Sequence, residues 1–310
     1  MYYLTVVTPT YNRAHTIGRV YESLKIQEFD DFEWLIIDDG STDNTKEVVE
    51  GFIKEQKINI RYYYKENGGR HTALNMAYKL LNSIYVINKD SDDKFSPNAL
   101  ANIRDIWESI PKQDYPRFWC ISGRCIDSKT GNMVGRPYPP NINQLKGKKQ
   151  HRIITKIKGE KSCCRKVEVV KQYPFPEYKD TKFVSENMVW EKINKKYDQY
   201  CVNDILRIYY TDSEDGLCKG NMHSSQKQIS YYYYSLFYVN ECFEQVMYNS
   251  KIILSILNIS RCGLLSGKTW LDMMRDTHKF YKKILVTLGY PISKLWIILI
   301  HNKRVKNNGK

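Results

Sequence analysis

The sequence has no uninterrupted apolar stretch long enough to cross a bilayer. Its longest late run, residues 295–300, is six residues, against the ~20 that a spanning helix requires. A charged-then-apolar leader is also missing, because residues 1–7 read as the start of a strand; no targeting segment is expected. None of the eight cysteines forms a Cys-x-x-Cys pair, which disfavours zinc ribbons and thioredoxin-like chemistry and fits a reducing cytoplasm. There is no internal repeat. Acids are in short supply: 48 Lys and Arg face 34 Asp and Glu, a formal net charge of +14. Such an imbalance points to an anionic partner, whether nucleic acid, acidic lipid or a phosphorylated substrate, without choosing among them.

What is present is an alternation of strand and helix over the first hundred residues. Tyr3–Thr8, Phe32–Ile37, Asn59–Tyr64 and Ser83–Asn88 read as strands. Between them, Thr16–Phe29, Asn44–Lys57 and His71–Leu81 read as helices, the second opened by Asp43 as a cap. Strands separated by helices imply a mostly parallel sheet with right-handed crossovers. Ligands of such sheets gather outside the C-terminal strand edges, and every polar cluster noted in this half lies at such an edge.

The last of these strands runs directly into Asp90-Ser91-Asp92-Asp93. Three carboxylates at the tip of a buried strand are costly unless something positive meets them. A hard divalent cation carrying a diphosphate answers that cost, since oxygen ligands suit Mg²⁺ or Mn²⁺; a solvated acidic turn is the plain alternative. Asp38-Asp39-Gly40-Ser41 ends the second strand. A carboxylate there can accept from the imide N3–H of uracil or thymine, which cytosine lacks, so Asp39 would select a uridine-type base. Thr8-Pro9-Thr10-Tyr11-Asn12-Arg13 ends the first strand, with Pro9 and Tyr11 as a wall beside a flat base and Arg13 as a phosphate contact. Glu66-Asn67-Gly68-Gly69-Arg70-His71 combines a glycine pair, which lets backbone approach a ligand, with a guanidinium able to pair bidentately with a diphosphate. Asn75 lies one helical turn beyond His71.

Together, in this order and spacing, the four blocks resemble family 2 of the inverting glycosyltransferases, and the match covers about the first 110 residues. The resemblance implies a GT-A fold: an α/β sheet, mostly parallel and flanked by helices. With the change of texture near residue 111 and the helical composition after about residue 226, the expected organisation is a nucleotide-binding half at 1–110, an acceptor-binding half at 111–225 and a helical extension at 226–310. It implies a nucleotide-sugar donor, UDP-linked, contacted by Thr8, Pro9, Tyr11, Arg13, Asp38, Asp39, Gly69, Arg70, Asn75, Asp90 and Ser91. Asp90 and Asp92 would form the D-x-D pair, Asp90 reaching ribose and metal and Asp92 ligating Mn²⁺ or Mg²⁺ directly. The family usually has an apolar residue just before this pair, and Lys89 stands there.

Inverting transfer needs a base for the acceptor hydroxyl, opposite the leaving group. Tyr173-Pro174-Phe175-Pro176-Glu177 through Lys182-Phe183-Val184-Ser185-Glu186-Asn187 resembles the acceptor-side block of a bacterial subset of the family. Glu186 takes the position of the catalytic carboxylate, with Glu177 and Asp180 as rivals; Phe183–Lys195 reads as a helix. His223, after Asp212-Ser213-Glu214-Asp215, is a further metal candidate. Within residues 146–171, ten Lys or Arg face two Glu, which reads as a basic loop over a phosphate or as solvated surface. Gly263-Leu264-Leu265-Ser266-Gly267-Lys268-Thr269 mimics a phosphate loop but has Cys262 where the first glycine belongs. The tail from Trp270 sets apolar residues beside lysines. It reads either as a helix packed on the catalytic domain or as one resting on an anionic membrane.

The expectation is thus a cytoplasmic enzyme, peripheral on the inner membrane face, that builds surface polysaccharide on a glycan or lipid-linked acceptor. An inactive partner subunit and a nucleotide-sugar pyrophosphorylase are the competing readings. Nucleic acid is not expected as a partner, because acids at the strand tips would repel phosphates.

Overall fold

In the computed structural model, residues 1–212, 224–246 and 250–308 are described. Eight strands among them form one sheet: β1 (Tyr2–Thr10), β2 (Phe32–Asp38), β3 (Ile60–Tyr64), β4 (Ser83–Asn88), β5 (Lys94–Phe95), β6 (Phe118–Asp127), β7 (Lys161–Lys166) and β8 (Asp198–Tyr209). Their order is β3-β2-β1-β4-β7-β6-β8-β5. The first four are mutually parallel. Beyond β4 the sheet turns mixed: β7 runs antiparallel to both β4 and β6, β6 and β8 are parallel, and β5 closes the edge antiparallel to β8.

The helices of the first half are α1 (Gly18–Lys25), α2 (Thr45–Glu55), α3 (Arg70–Leu80) and α4 (Ala99–Ser109), followed by α5 (Lys148–Ile154), α6 (Val167–Val170) and α7 (Asn187–Ile193). β2 is buried along its whole length, as a central parallel strand covered on both faces must be. Alternate residues serve opposite layers. Leu4, Val6, Trp34 and Ile36 pack with α1 and α4 through Val20, Leu24 and Ile103. Val7, Leu35 and Ile37 pack with α3 and α7 through Ala73, Leu74 and Val189. This fixes the register, and with it which loops share the C-terminal edge of the sheet.

The stretch 146–171 is neither open loop nor solvated surface throughout. It contains α5 and β7, and Arg165 and Lys166 are buried in the sheet. Lys166 donates to the Tyr115 carbonyl at 2.6 Å, with its ammonium 3.4 Å from the centre of the Tyr115 ring.

The chain divides into two compact units, one of Met1–Pro176 and Val189–Gly216, the other of Glu177–Met188 and Leu217–Lys310. The second unit holds α8 (Ser225–Glu241), α9 (Phe243–Val246), α10 (Ser250–Leu265), α11 (Trp270–Asp276) and α12 (Phe280–Asn308). Its core joins Tyr232, Val239, Ile259, Cys262, Met273 and Val286. The phosphate-loop mimic is the end of α10 and the start of α11, where Thr269 and Asp272 form a reciprocal capping box. No helix among the described residues is long and apolar enough to cross a membrane.

Candidate active site

The sheet reverses its strand order at β1, whose neighbours are β2 and β4. Crevices for ligands open at such a point, and the loops that leave β1, β2 and β4 are stitched together there. Asn12, held at φ +52°, accepts from the Thr42 N–H at 2.8 Å through its side-chain oxygen and donates its own N–H to Ser41 Oγ at 2.8 Å. The Arg13 N–H donates to Thr45 Oγ1 at 2.9 Å. Asp43 accepts from the Thr45 N–H at 3.0 Å and from the Ala14 N–H at 3.2 Å, so it does support the start of α2, with Asn44 as the formal cap residue. Asp38 is spent locally: it accepts from the Ser41 N–H at 2.7 Å and the Tyr62 hydroxyl at 2.6 Å.

Asp39 organises the glycine turn. Its Oδ1 accepts from Lys65 Nζ at 2.6 Å and the Gly68 N–H at 3.0 Å, and its Oδ2 from the Gly69 N–H at 2.7 Å. Each carboxylate oxygen has two lone-pair sites, so Oδ2 retains acceptor capacity beyond Gly69. Asn67 Nδ2 returns to the Asp39 carbonyl at 2.8 Å. Gly40 sits at φ +87°, and a Cβ there would lie 2.7 Å from the Asn67 nitrogen; the two loops meet this closely only because the position is glycine. Gly69, at φ +94° and ψ 156°, then opens α3 and places Arg70 as its first residue.

From there Arg70 reaches Asp90. Arg70 Nη1 lies 2.7 Å from Asp90 Oδ1, and Arg207 Nη2, from β8, lies 2.8 Å from Asp90 Oδ2. Arg207 also pairs with Asp93, whose Oδ1 accepts from the Tyr210 N–H at 2.8 Å. Lys89 is fully buried, donates to the Lys94 carbonyl at 2.5 Å and sits 4.1 Å from the centre of the Phe95 ring; it neither points to solvent nor breaks the core. Burial acts to raise the Asp90 carboxyl, but Arg70, Arg207 and Lys89 overcome it and hold the group well below the usual carboxylate range. Burial pushes Asp93 up and pushes the Lys89 ammonium down. Three basic groups therefore stand among three acids at the tip of β4. Within the chain, Arg70 and Arg207 meet Asp90, and Arg207 meets Asp93.

Asp92, like Asp90, is partly buried. Its carbonyl accepts from Arg19 Nη1 at 3.1 Å, and Arg19 forks onto both oxygens of Asp212 at 2.9 and 2.7 Å while stacking over Tyr210. The D-S-D-D turn is thus tied to α1 and to the end of β8. Asp90 keeps its side chain 31% exposed, and with Asp92 it offers two hard oxygen donors. No group of three or more potential ligands occurs among the described residues. A pair of carboxylates whose remaining positions are filled by substrate phosphates is how Mg²⁺ is commonly held, so the residues present fit a divalent ion. His223 lies outside the described residues.

The other expected contacts divide into those that face the edge and those that support it. Tyr11 is half exposed. Thr8 is fully buried, and its hydroxyl accepts from the Trp34 indole at 2.9 Å. Pro9 lies within β1 opposite Ile37, and Ser91 is buried within the acidic turn. Asn75 clamps a backbone, donating to the Phe175 carbonyl at 2.9 Å and accepting from the Phe175 N–H at 2.8 Å.

Glu186 directly precedes α7 and belongs to the second unit. The helix begins at Asn187 rather than at Phe183; ahead of it the Phe183 N–H donates to Thr181 Oγ1 at 3.1 Å. The segment that carries Glu186 is anchored: Tyr178 stacks on Tyr233 with ring centres 3.7 Å apart, Thr181 and Ser230 share a hydroxyl bond of 2.8 Å, and Val184 and Met188 pack with Phe237 and Cys242. The rival Asp180 has its Oδ2 occupied by Lys268 at 2.8 Å and the Tyr233 hydroxyl at 2.9 Å. Arg207, Arg19 and Lys65 escape sequence reasoning. Nothing local in the sequence pairs Arg207 with Asp90.

The sequence profile described as Glycosyl transferase family 2 matches residues 5–159, half of the chain and all four loops. The chain belongs to this family. It spans only 35% and 42% of the length of two uncharacterized glycosyltransferases of Mycoplasma pneumoniae, which it matches at 39% and 30% identity over 33% and 37% of its own residues. A longer match, 25% identical over 70% of this chain and 67% of the other, is to the GalNAc(5)-diNAcBac-PP-undecaprenol beta-1,3-glucosyltransferase of Campylobacter jejuni. Among solved structures, S. aureus TarS 1-349 in complex with UDP-GlcNAc superposes with a TM-score of 0.57 at 16% identity, covering 95% of this chain and 91% of that one. The mannosyltransferase PcManGT from Pyrobaculum calidifontis, in complex with GDP-Man and Mn2+, gives a TM-score of 0.52 at 16% identity over 94% and 80%. The sheet and its flanking helices are those of the GT-A fold, and the helical extension expected after residue 226 is present.

Proposed function

We propose that this family 2 chain is an inverting glycosyltransferase that moves a sugar from a UDP-linked donor to a glycan or lipid-linked acceptor, in the assembly of cell-surface polysaccharide. The observation that carries the proposal is the cluster at the reversal of strand order, where Arg70 leaves a glycine turn to meet the first acid of D-S-D-D. Tyr11 and Asp39 flank the base, Asp39 through the free lone-pair direction of Oδ2. Arg13 and Arg70 take the diphosphate, Arg70 exchanging its hold on Asp90 for phosphate oxygens. Asp90 and Asp92 would hold Mn²⁺ or Mg²⁺, which when bound supplies positive charge to the diphosphate. Glu186 accepts the proton of the acceptor hydroxyl as that oxygen bonds to the anomeric carbon. The carbon–oxygen bond to UDP breaks on the opposite face, and UDP leaves with the electron pair. A lipid-linked acceptor places the enzyme in the cytoplasm at the inner membrane face. The similarity to an undecaprenol-linked glucosyltransferase and to a structure in complex with UDP-GlcNAc supports these choices of acceptor and donor.

A thermal-shift series with UDP and CDP, with and without Mn²⁺, tests this reading. UDP should stabilise the protein in a metal-dependent way that Asp92→Ala abolishes. Equal shifts from CDP would remove Asp39 from base selection, and no shift from any nucleotide would overturn the assignment.

A further inference from the structure

The helix α12 is buried on one side and bare on the other. Val286 and Ser293 pack inward, with Ser293 Oγ donating to the Leu257 carbonyl of α10 at 3.0 Å. On the opposite side Phe280, Ile284, Leu288, Ile292, Leu295 and Leu299 follow one another at three- and four-residue spacing, with Phe280 78% and Leu288 64% exposed. At 3.6 residues per turn they fall within roughly half of the helix circumference. Monomeric proteins rarely leave so long an apolar stripe uncovered. A cleft of about 360 Å³ continues it, lined by Trp270 and Met274 of α11 and by Phe280, Ile284 and Leu288.

The charge beside this stripe identifies its occupant. Residues 277–299 carry four lysines and no Asp or Glu; Lys282 is buried and Lys279 lies 4.0 Å from Glu244 of α9. Lys294 is exposed on α12, and Lys283 lines the cleft itself. A second copy of the chain would set Lys283 and Lys294 against their own counterparts, which is repulsive. An anionic lipid surface satisfies both properties at once: acyl chains take the stripe and acidic headgroups take the lysines. We propose that the exposed face of α12 docks the protein in the headgroup–acyl boundary of an anionic bilayer. The proposal deepens the lipid-linked-acceptor reading above by naming the surface that would bring enzyme and acceptor together.

Flotation of the full chain with vesicles tests it, using phosphatidylcholine alone or with phosphatidylglycerol, at low and high salt. Retention should require phosphatidylglycerol and weaken with salt. The double variant Leu288→Ser/Leu295→Ser should bind at least about tenfold less. Lys283→Glu/Lys294→Glu, one at the cleft and one on the exposed side of α12, should lose the preference for the anionic lipid. Failure of the parent protein to bind phosphatidylglycerol vesicles overturns the proposal, as does full retention by the Ser variant. A concentration-dependent dimer in light scattering that the Ser variant dissolves would overturn it in favour of self-association. UDP-dependent thermal shifts on the same samples separate the two readings: preserved shifts with absent flotation remove only the docking face, and flotation without shifts removes only the donor assignment.

Discussion

Arg207 and Asp93 illustrate why a site reads differently at the scale of the residue than at the scale of a motif. Asp93 is the third acid of D-S-D-D, yet its partners are the Arg207 guanidinium and the Tyr210 backbone, so it fastens the turn to β8. Breaking a buried ion pair by removing one member typically costs about 3–5 kcal/mol, because the remaining charge is left uncompensated. Arg207→Met should therefore destabilise the protein by about that amount in urea unfolding. Arg207→Met with Asp93→Asn should recover part of the loss; a double variant as unstable as the single would show that Asp93 is not what Arg207 compensates. Glu186 makes the contrasting case. Glu186→Gln keeps size and polarity but cannot accept a proton as a carboxylate does, and removing a general base typically lowers the rate by about 10²–10⁴-fold. Transfer measured as UDP release should fall by that factor while the UDP thermal shift is retained. Full turnover by Glu186→Gln would take the residue out of the reaction.

At the scale of elements, what could be read in the sequence was whatever lies in a continuous stretch. The strands β1 to β4 and the acids at their ends are each contiguous, and hydrophobic runs ending on polar residues announce them. The pairings that hold the ends together, Lys65 with Asp39 and Arg207 with Asp90, join residues from separate elements and leave no local pattern. The helix expected from Phe183 shows the same limit: the apolar spacing continues backwards, but the segment ahead of Asn187 is held by contacts to α8, among them Thr181 with Ser230 and Val184 with Phe237. Residues 146–171 read as loop because their charge masked a strand. Within that strand, burial lowers the Lys166 ammonium from 10.5 to about 8. A depressed lysine favours the neutral amine in the folded state. Its contribution is complete above 10.5 and is lost as the pH falls through about 8. The stability of the parent protein relative to Lys166→Met should therefore increase from pH 7 to pH 10, measured by urea unfolding at each pH. A gap independent of pH would mean that Lys166 titrates as it does in the unfolded chain.

At the scale of the whole molecule, the decisive feature is that the chain exchanges a segment between its two units. Glu177–Met188 groups with the C-terminal helices. The residue proposed as base is thereby carried by the helical unit, while the proposed donor residues are all carried by the sheet. Binding and transfer should then be separable by substitutions that touch neither site. Asp180 pairs with Lys268 and Tyr233, and Thr181 bonds Ser230, so Asp180→Ala with Thr181→Val frees the strap that leads to Glu186. The Asp180–Lys268 pair is partly exposed, its side chains at 40% and 21%, and exposed pairs contribute about 0–1 kcal/mol, while the Thr181 bond adds a typical 0.5–1.5 kcal/mol. The double variant should therefore stay folded, with a small drop in melting temperature. A base displaced by about 1 Å can cost on the order of 10²-fold in rate. The expected result is a large fall in kcat with donor affinity unchanged. A variant that loses donor affinity as well would show that the strap supports the donor site, and one with unchanged kcat would show that Glu186 is held from α7 alone.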